Sequence, residues 1–261
     1  MTKIFVDAAK TPKAQRYHEE IARLFKIVPI EDAEVMVVLG GDGYMLEALH
    51  RTKTANVSVY GIHCGTVGFL MNAVEFDEIH DLSQRIEKAI VTKLHPLRVE
   101  IQQKSKERTV VHAINEITLH RQTHQVCKLS IEINGKIRME NLAGDGVIVS
   151  TAAGSTAYNF SAGGSIIPLG IPLLSLTALN PFSPRHWKGA IIHNTAKITV
   201  RVHDSSIRSV QATADFVSFN DIEEAVISED QSIILNLLFD SDHNLEERVL
   251  NEQFAGEKKH V

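Results

Sequence analysis

Several common sequence features are absent from this chain of 261 residues. Its two cysteines, Cys64 and Cys127, stand far apart, so neither a disulfide framework nor a cysteine-based zinc site is indicated. A formal net charge of -5 argues against a general binder of nucleic acid or of anionic membranes, which needs excess lysine and arginine. The apolar stretches have only the length of strands, so no membrane helix is predicted. We therefore expect a cytoplasmic protein with reduced thiols.

The familiar motifs of nucleotide and metal enzymes are missing as well. There is no Walker A pattern, and no Gly-x-Gly-x-x-Gly opens a helix. The 13 histidines contain no His-Glu-x-x-His spacing, and we interpret His63, His112 and His124 as packing or surface residues. No metal site made of protein side chains is predicted. If the chain handles ATP or NAD, it must do so with another loop design.

The chain changes its hydrophobic period near residue 93. Before that point, strand-like runs at 3–7, 35–39 and 57–62 alternate with helix-like patterns at 12–25, 44–51 and 76–91. After it, the runs at 97–102, 109–120, 126–133, 136–142 and 196–238 read as antiparallel β-structure, and Asn134-Gly135 predicts a hairpin. We expect an α/β N-terminal domain with a Rossmann-like parallel sheet at 1–93. An all-β, sandwich-like C-terminal domain would follow at 94–240. The tail at 241–261 would carry a helix, and its packing on the first domain is one option.

The first motif with chemical content is Gly40-Gly41-Asp42-Gly43, at the end of a buried strand and the start of a helix. Glycines there let a ligand approach the backbone closely, and the free N–H groups of a helix start favour an anion. A carboxylate in such a loop needs a task, such as binding Mg²⁺ or accepting a proton from a hydroxyl. The alternative is a tight turn in which Asp42 only caps the helix.

The second motif is longer and runs from Gly144 to Tyr158 as GDGVIVSTAAGSTAY. A strand leads into a loop of small residues and then into a helix-like segment that reaches Ala162. Small side chains lower the floor of a pocket, so that a flat ring can lie against backbone. The hydroxyls of Ser155 and Thr156 can then bind the polar edge of that ring. The alternative is a closely packed and capped helix start.

The third motif is Asn115-Glu116, inside the strand-like run Val110–His120. A polar pair embedded in a buried strand must find partners. Asparagine offers a donor and an acceptor that suit adenine, and glutamate is a good acceptor for a ribose diol. An internal hydrogen-bond network is the alternative interpretation.

Taken together, these motifs resemble the NAD kinase family. Gly40–Gly43, Gly65–Leu70 (GTVGFL), Asn115-Glu116 and Gly144–Tyr158 occur in that family's order and spacing, and the likeness covers roughly residues 35 to 220. A GGDG turn alone is shared with kinases similar to diacylglycerol kinase and 6-phosphofructokinase, whereas the long small-residue string is far more specific. The resemblance implies an α/β domain and a β-rich domain with NAD between them.

The resemblance also implies roles for particular residues. Asp42 would be the base for the 2′-hydroxyl of the adenosine ribose, with ATP, another nucleotide or polyphosphate as the donor. Mg²⁺ would accompany the triphosphate, and no tightly bound organic cofactor is implied. The protein would form homodimers or homotetramers in which one subunit contributes residues to the pocket of another. Asp145 and Ala178 are the candidates for these residues. The implied NAD-binding residues are Asp42, Gly43, Asn115, Glu116, Asp145, Ala153, Thr156, Ala157, Tyr158, Asn159, Phe160, Ser161, Ala178 and Asp215.

The sequence departs from the family pattern at two positions. Tyr44 follows the glycine turn where threonine is usual, and Phe216 follows Asp215 where glycine, serine or histidine is common. Two other functions remain open: a lipid or sugar kinase that uses the same GGDG turn, and a non-catalytic NAD-binding sensor. The first would carry a basic or apolar acceptor site in place of the small-residue loop. The second would need Asp42 to be merely a cap.

Overall fold

The structure, a computed structural model, describes residues 2–53, 55, 57–65 and 68–241. The predicted tail helix at 244–254 lies outside the described residues. The chain divides into two compact units: residues up to Leu94 together with those from Ile234 onward, and residues His95–Ile233.

The strands in chain order are β1 (Ile4–Ala8), β2 (Val35–Gly40), β3 (Ser58–His63), β4 (Ile90–Leu94), β5 (Leu97–Gln103), β6 (Arg108–Ala113), β7 (Glu116–Arg121), β8 (Cys127–Ile133), β9 (Lys136–Gly144), β10 (Gly146–Ser150), β11 (Leu173–Leu179), β12 (Gly189–His193), β13 (Ile198–His203), β14 (Val210–Ala214), β15 (Val217–Phe219), β16 (Ile222–Glu229) and β17 (Leu235–Phe239). The α-helices are α1 (Pro12–Leu24), α2 (Asp42–Thr52), α3 (Leu82–Lys88) and α4 (Tyr158–Ser161). Short 3₁₀ helices cover Ile30–Asp32, Phe76–Asp81 and Gly154–Thr156.

The first unit is built on a sheet in the order β1-β2-β3-β17-β4. Strands β1, β2 and β3 pair in parallel, and all six residues of β2 are buried, as expected for a strand covered on both faces. Helix α1 begins where the hydroxyl of Thr11 accepts a hydrogen bond from the Ala14 N–H at 3.3 Å. Its buried residues Ala14, Tyr17 and Ile21 recur at helical spacing and form one apolar face.

Two parts of this unit differ from the sequence-based expectation. Strand β17, which the sequence pattern grouped with the second block, pairs in parallel with β3 and antiparallel with β4. A short apolar run carries no information about which sheet it joins, so the pattern alone could not assign it. The predicted helix at 76–91 is a 3₁₀ turn followed by α3, and its last residues, Ile90 and Val91, begin β4.

A buried polar cluster attaches the end of β17 to the rest of the first unit. The Tyr60 hydroxyl donates to Oδ1 of Asp240 at 2.6 Å, and Nη1 of Arg85 donates to Oδ2 at 2.7 Å. The amide of Asn72 donates to the Leu238 carbonyl and accepts from the Asp240 N–H, both at 3.0 Å. Every partner in this cluster comes from another segment of the sequence. It therefore fixes β17 in the sheet.

The second unit contains two six-stranded sheets, in the orders β12-β11-β10-β7-β14-β15 and β6-β5-β16-β13-β8-β9. Every strand pairing recorded within them is antiparallel. Val147 and Val149 from the first sheet and Ile198 and Val200 from the second belong to one buried apolar cluster. An α/β unit and a β-rich unit are therefore present, and the predicted fold class is confirmed.

The hairpin predicted at Asn134-Gly135 is confirmed too. These two residues connect β8 to β9 with φ of 52° and 76°, the positive values that a two-residue type I′ turn requires. Strands β11 and β12 were not predicted, since they lie in a segment without clear alternation. None of the helices described between residues 2 and 241 is long and apolar enough to cross a membrane.

Candidate active site

The glycine turn lies at the carboxyl end of β2, where ligands bind in open parallel sheets. Gly41 is the N-cap of α2, and Asp42 is the first helical residue. The Asp42 carboxylate accepts hydrogen bonds from the backbone N–H of Phe69 at 2.7 Å and of Leu70 at 3.1 Å. Asp42 is therefore not the cap of its own helix. Its side chain instead joins the glycine turn to the 68–70 segment.

Gly68 makes this contact possible. A Cβ atom at Gly68 would lie 2.1 Å from Oδ1 and 2.5 Å from Cγ of Asp42, so a side chain there would displace the carboxylate. A Cβ atom at Gly43, in contrast, would meet none of the described residues within 4 Å, so these residues leave the surface over Gly43 open. The two glycines have different functions: one allows the carboxylate to be held, and the other leaves space beside it.

Tyr44, the first departure from the family pattern, bonds to a residue of β1. Its hydroxyl donates to Oδ1 of Asp7 at 2.6 Å, and Arg51 pairs with the other oxygen of the same carboxylate. The ring passes so close to Gly40 that a Cβ atom there would lie 2.9 Å from Cβ of Tyr44. The larger side chain is thus accommodated by a glycine and an aspartate of the first unit.

In the second unit, the predicted strand at 109–120 is interrupted at Ile114 and Asn115. Strand β6 belongs to one sheet and β7 to the other, and the bend between them crosses from sheet to sheet. Oδ2 of Asp215 accepts from the Ile114 N–H at 2.7 Å, while Oδ1 accepts from the N–H groups of Asn115 at 3.0 Å and Glu116 at 3.2 Å. The strand ends here because these N–H groups bond to a side chain and not to a neighbouring strand.

The small-residue loop holds the same bend from the opposite side. The Thr151 hydroxyl donates to the Ile114 carbonyl at 2.7 Å, and the Thr151 N–H donates to the Asn115 carbonyl at 2.9 Å. A Cβ atom at Gly154 would lie 2.2 Å from that carbonyl oxygen, so the loop packs directly on the backbone of the bend. The N–H groups of the bend are therefore bonded to Asp215, while its carbonyl groups are bonded to Thr151.

Two side-chain acceptors on this bend remain unused. Oδ1 of Asn115 and Oε2 of Glu116 are buried, and neither has a hydrogen-bond partner among the described residues. Burial, and to a smaller extent the nearby Asp215 carboxylate, raises the pKa of Glu116 to about 7. Unsatisfied buried acceptors are costly unless a ligand supplies donors. Asn115 and Glu116 therefore form a candidate ligand-binding site whose acceptors a ligand with hydrogen-bond donors would satisfy.

The loop after Thr151 is stabilised by its own polar core. The Asn159 amide donates to the carbonyls of Ser155 and Ser165, both at 3.1 Å, and its oxygen accepts from the Thr177 hydroxyl at 2.7 Å. Asn159 is completely buried, so these bonds hold the loop in shape. Among the other predicted residues here, Ala153 is buried, Thr156, Ala157 and Phe160 are half-buried, and Tyr158 and Ser161 are exposed.

Asp145 and Ala178 lie at the other end of β10. Asn180 donates to Oδ2 of Asp145 at 2.8 Å, and Nε of Arg121 donates to Oδ1 at 2.6 Å. These two bonds hold the pKa of Asp145 below its usual range. Ala178 is buried in β11, opposite Val147 of β10. Both residues therefore have partners within a single chain.

His63, which the sequence analysis interpreted as a packing or surface residue, is a further candidate site residue. His63 is the last residue of β3, so it lies at the carboxyl ends of the parallel strands, as the glycine turn after β2 does. Its Nε2 contacts the Gly65 carbonyl. Its Nδ1 is buried without a hydrogen-bond partner among the described residues. A single histidine carries no sequence signal, so only its place in the sheet identifies it.

Among the described residues, no group of three or more His, Cys, Asp or Glu side chains is placed to hold a metal ion. The predicted site residues are distributed over both units. Asp42 and Gly43 belong to the first, and all the others belong to the second.

Comparisons with known proteins agree with this division. A family model described as the ATP-NAD kinase N-terminal domain matches residues 6–91, and one described as the ATP-NAD kinase C-terminal domain matches residues 114–218. The NAD kinase of Xylella fastidiosa (strain Temecula1 / ATCC 700964) is 45% identical over 248 residues, which are 95% of this chain and 94% of that protein. The chain therefore belongs to the NAD kinase family.

Solved structures show the same fold. The crystal structure of yeast NADH kinase complexed with NADH superimposes with a TM-score of 0.83 at 22% identity, covering 100% of this chain and 90% of that one. An NAD kinase from Archaeoglobus fulgidus in complex with ATP gives a TM-score of 0.76 at 23% identity, covering 96% and 98%. At these identities the likeness concerns the fold alone.

Proposed function

We propose that this protein is an NAD kinase, which transfers the terminal phosphoryl group of ATP, another nucleotide or polyphosphate to the 2′-hydroxyl of the adenosine ribose of NAD. The product is NADP. The unused acceptors of Asn115 and Glu116 carry the proposal, because an adenine amino group and ribose hydroxyls are the donors they lack. Membership of the NAD kinase family supports the same activity.

Asp42 acts as the base in this proposal. The ribose oxygen forms a bond to the terminal phosphorus, the bond from that phosphorus to the leaving group breaks, and the hydroxyl proton passes to Asp42. A free aspartate has a pKa of about 3.9, far below that of a sugar hydroxyl, so the proton moves only as the phosphoryl group transfers. The N–H groups of Phe69 and Leu70 support this role, because they fix the orientation of the carboxylate.

Mg²⁺ enters as part of the nucleotide substrate. We propose that the triphosphate oxygens hold the ion and that the ion neutralises phosphate charge. The chain's own residues bind and orient the two substrates, which is the larger part of catalysis in a loose phosphoryl-transfer transition state.

The remaining predicted residues belong to the same proposal in two groups. Asn159 acts through the loop that it stabilises. Direct contacts with NAD are proposed for Gly43, Ala153, Thr156, Ala157, Tyr158, Phe160 and Ser161.

We also propose a homodimer or homotetramer to which Asp145 and Ala178 contribute across an interface. The edge strand β12 with its exposed Ile191, together with the exposed side chain of Phe182, supports an interface on this unit. A cytoplasmic location completes the proposal, and the free thiols Cys64 and Cys127 favour it.

The test is a conversion assay with purified protein. NAD, ATP and Mg²⁺ should yield NADP, with polyphosphate as an alternative donor and NADH and diacylglycerol as alternative acceptors. NAD binding without NADP formation would identify a sensor, and phosphorylation of diacylglycerol would identify a lipid kinase. Either result would overturn the proposal.

A further inference from the structure

The bend Ile114–Glu116 is held by a residue that follows it by about a hundred positions. Asp215 sits in the turn between β14 and β15 with φ of 50°, a left-handed conformation that aspartate tolerates better than most residues. From there its carboxylate accepts three backbone N–H groups, at 2.7, 3.0 and 3.2 Å. Its own N–H donates to the Glu116 carbonyl at 3.1 Å. The turn and the bend are thus bonded in both directions.

These bonds act on the backbone of the two residues whose side-chain acceptors are unused. The direction of a side chain follows from its backbone dihedral angles, and Ile114 and Asn115 belong to no strand whose ladder would fix theirs. Without the Asp215 carboxylate, three N–H donors at the site would lose their acceptors. Oδ1 of Asn115 and Oε2 of Glu116 would then no longer be held in one arrangement.

We propose that Asp215 is a positioning residue: by accepting the N–H groups of Ile114, Asn115 and Glu116, it orients the acceptors of Asn115 and Glu116 toward the dinucleotide. The role rests on the proposed function and replaces a direct contact of Asp215 with NAD. It assigns to Asp215 an effect on substrate affinity, because the residue acts through groups that bind and not through the reacting atoms.

The charge of Asp215 should also affect how the affinity for NAD depends on pH, which gives a second test of the positioning role. Glu116 faces the neutral Ser150 of β10 on one side. Burial is the larger cause of the raised pKa of Glu116, and the field of the Asp215 carboxylate raises that pKa further. An ionised Glu116 is the better acceptor for ribose hydroxyls, so affinity for NAD should fall as pH drops through about 7. Removing the neighbouring charge should move this loss to lower pH.

The experiment compares Asp215→Asn with Asp221→Asn. Asparagine keeps one oxygen acceptor and tolerates positive φ, but its amide nitrogen cannot accept an N–H. Asp221 is a matched control, since it also has positive φ, at 56°, and lies exposed beside Lys104. The measurements are KM and kcat for NAD with ATP and Mg²⁺, the pH profile of kcat/KM, and hydrogen exchange of the amides of residues 114–116.

For Asp215→Asn we expect KM for NAD to rise by about tenfold or more, kcat to stay within about threefold, and the acid limb of the pH profile to move to lower pH. The three amides should exchange faster, and Asp221→Asn should change none of these quantities. A fall in kcat at constant KM, an unchanged pH profile, or unchanged exchange would each overturn the role.

Should Asp215→Asn fail to fold, Asp215→Gly takes its place, because glycine adopts positive φ without strain. The wild-type protein is assayed first. If it makes no NADP, the proposed function fails, whereas failure of the positioning role appears only in the variants.

Discussion

Gly68 and Asp42 occupy a space that admits only one side chain, since a Cβ atom on Gly68 would lie 2.1 Å from Oδ1 of Asp42. The contact lets the N–H groups of Phe69 and Leu70 reach the carboxylate. A glycine in the 68–70 segment thereby decides where a carboxylate of the glycine turn points.

Replacement of Gly68 by alanine should therefore displace the Asp42 carboxylate. We expect turnover of NAD to fall by about 10²-fold, because a shift of about 1 Å in a catalytic group has costs of that size. Gly65→Ala is the control, since the one described side chain that its Cβ would meet is His63, whose Cε1 would lie at an ordinary 3.9 Å. Steady-state kinetics of both variants test the idea, and equal turnover in the two would contradict it.

Asp42→Asn tests the base itself. The amide cannot take the hydroxyl proton, so turnover should fall by about 10²-fold or more while NAD binding stays nearly intact. Calorimetric titration with NAD and steady-state kinetics separate the two effects. Asp32→Asn removes an exposed carboxylate of the same unit and should leave both values unchanged. Near-normal turnover of Asp42→Asn would show that the base has been assigned wrongly.

The raised pKa of Glu116 predicts how stability depends on pH. Folding raises this pKa from 4.5 to about 7, so the folded protein holds a proton that the unfolded chain releases between these values. The stabilisation is complete below pH 4.5 and is lost as pH rises through about 7. Relative to Glu116→Gln, the wild-type free energy of unfolding should thus decrease with rising pH, by up to about 3 kcal/mol.

Urea denaturation of the wild type and Glu116→Gln at pH 5 and pH 8 measures this difference. Glu107→Gln, at an exposed glutamate, controls for the general effect of removing a carboxylate. A difference between wild type and Glu116→Gln that does not vary with pH would rule out the raised pKa.

Tyr60→Phe tests the cluster that attaches β17. The lost hydrogen bond ends on the buried carboxylate of Asp240, and bonds to charged groups contribute about 1.5–3 kcal/mol. Tyr17→Phe is the matched comparison, because Tyr17 is also buried but donates to the neutral Val74 carbonyl, at 3.1 Å. Denaturant unfolding should show a loss of about 2 kcal/mol for Tyr60→Phe and about 1 kcal/mol for Tyr17→Phe. The reverse order would contradict this account.

Local signals were enough to predict much of the fold. The apolar run of β2 with its glycines predicted a strand that ends at a sharp turn, and Asn134-Gly135 predicted a hairpin. In each case, neighbouring residues determine the conformation. The polar pair Asn115-Glu116 was recognised as a candidate site because an apolar run surrounds it, although its backbone conformation depends on a distant residue.

Features that depend on distant partners were not predictable. The break between β6 and β7 is caused by Asp215, and its N–H acceptors cannot be seen in residues 109–120. The bonds of Asn159 to Thr177 and to two carbonyls, which hold the loop, also join residues that are distant in the sequence or carry no local signal. Likewise, nothing within 235–239 indicates the sheet that this strand joins.

The insertion of β17 between β3 and β4 has a consequence for synthesis on the ribosome. Strand β4 has β17 as its neighbour in the sheet, yet some 140 residues of chain separate the two. A nascent polypeptide that ends near residue 94 thus lacks the strand that lies between β3 and β4. The sheet of the first unit can therefore be completed only after residues 95–233 have been translated. The unit whose strands are synthesised first is thus the one that is completed last.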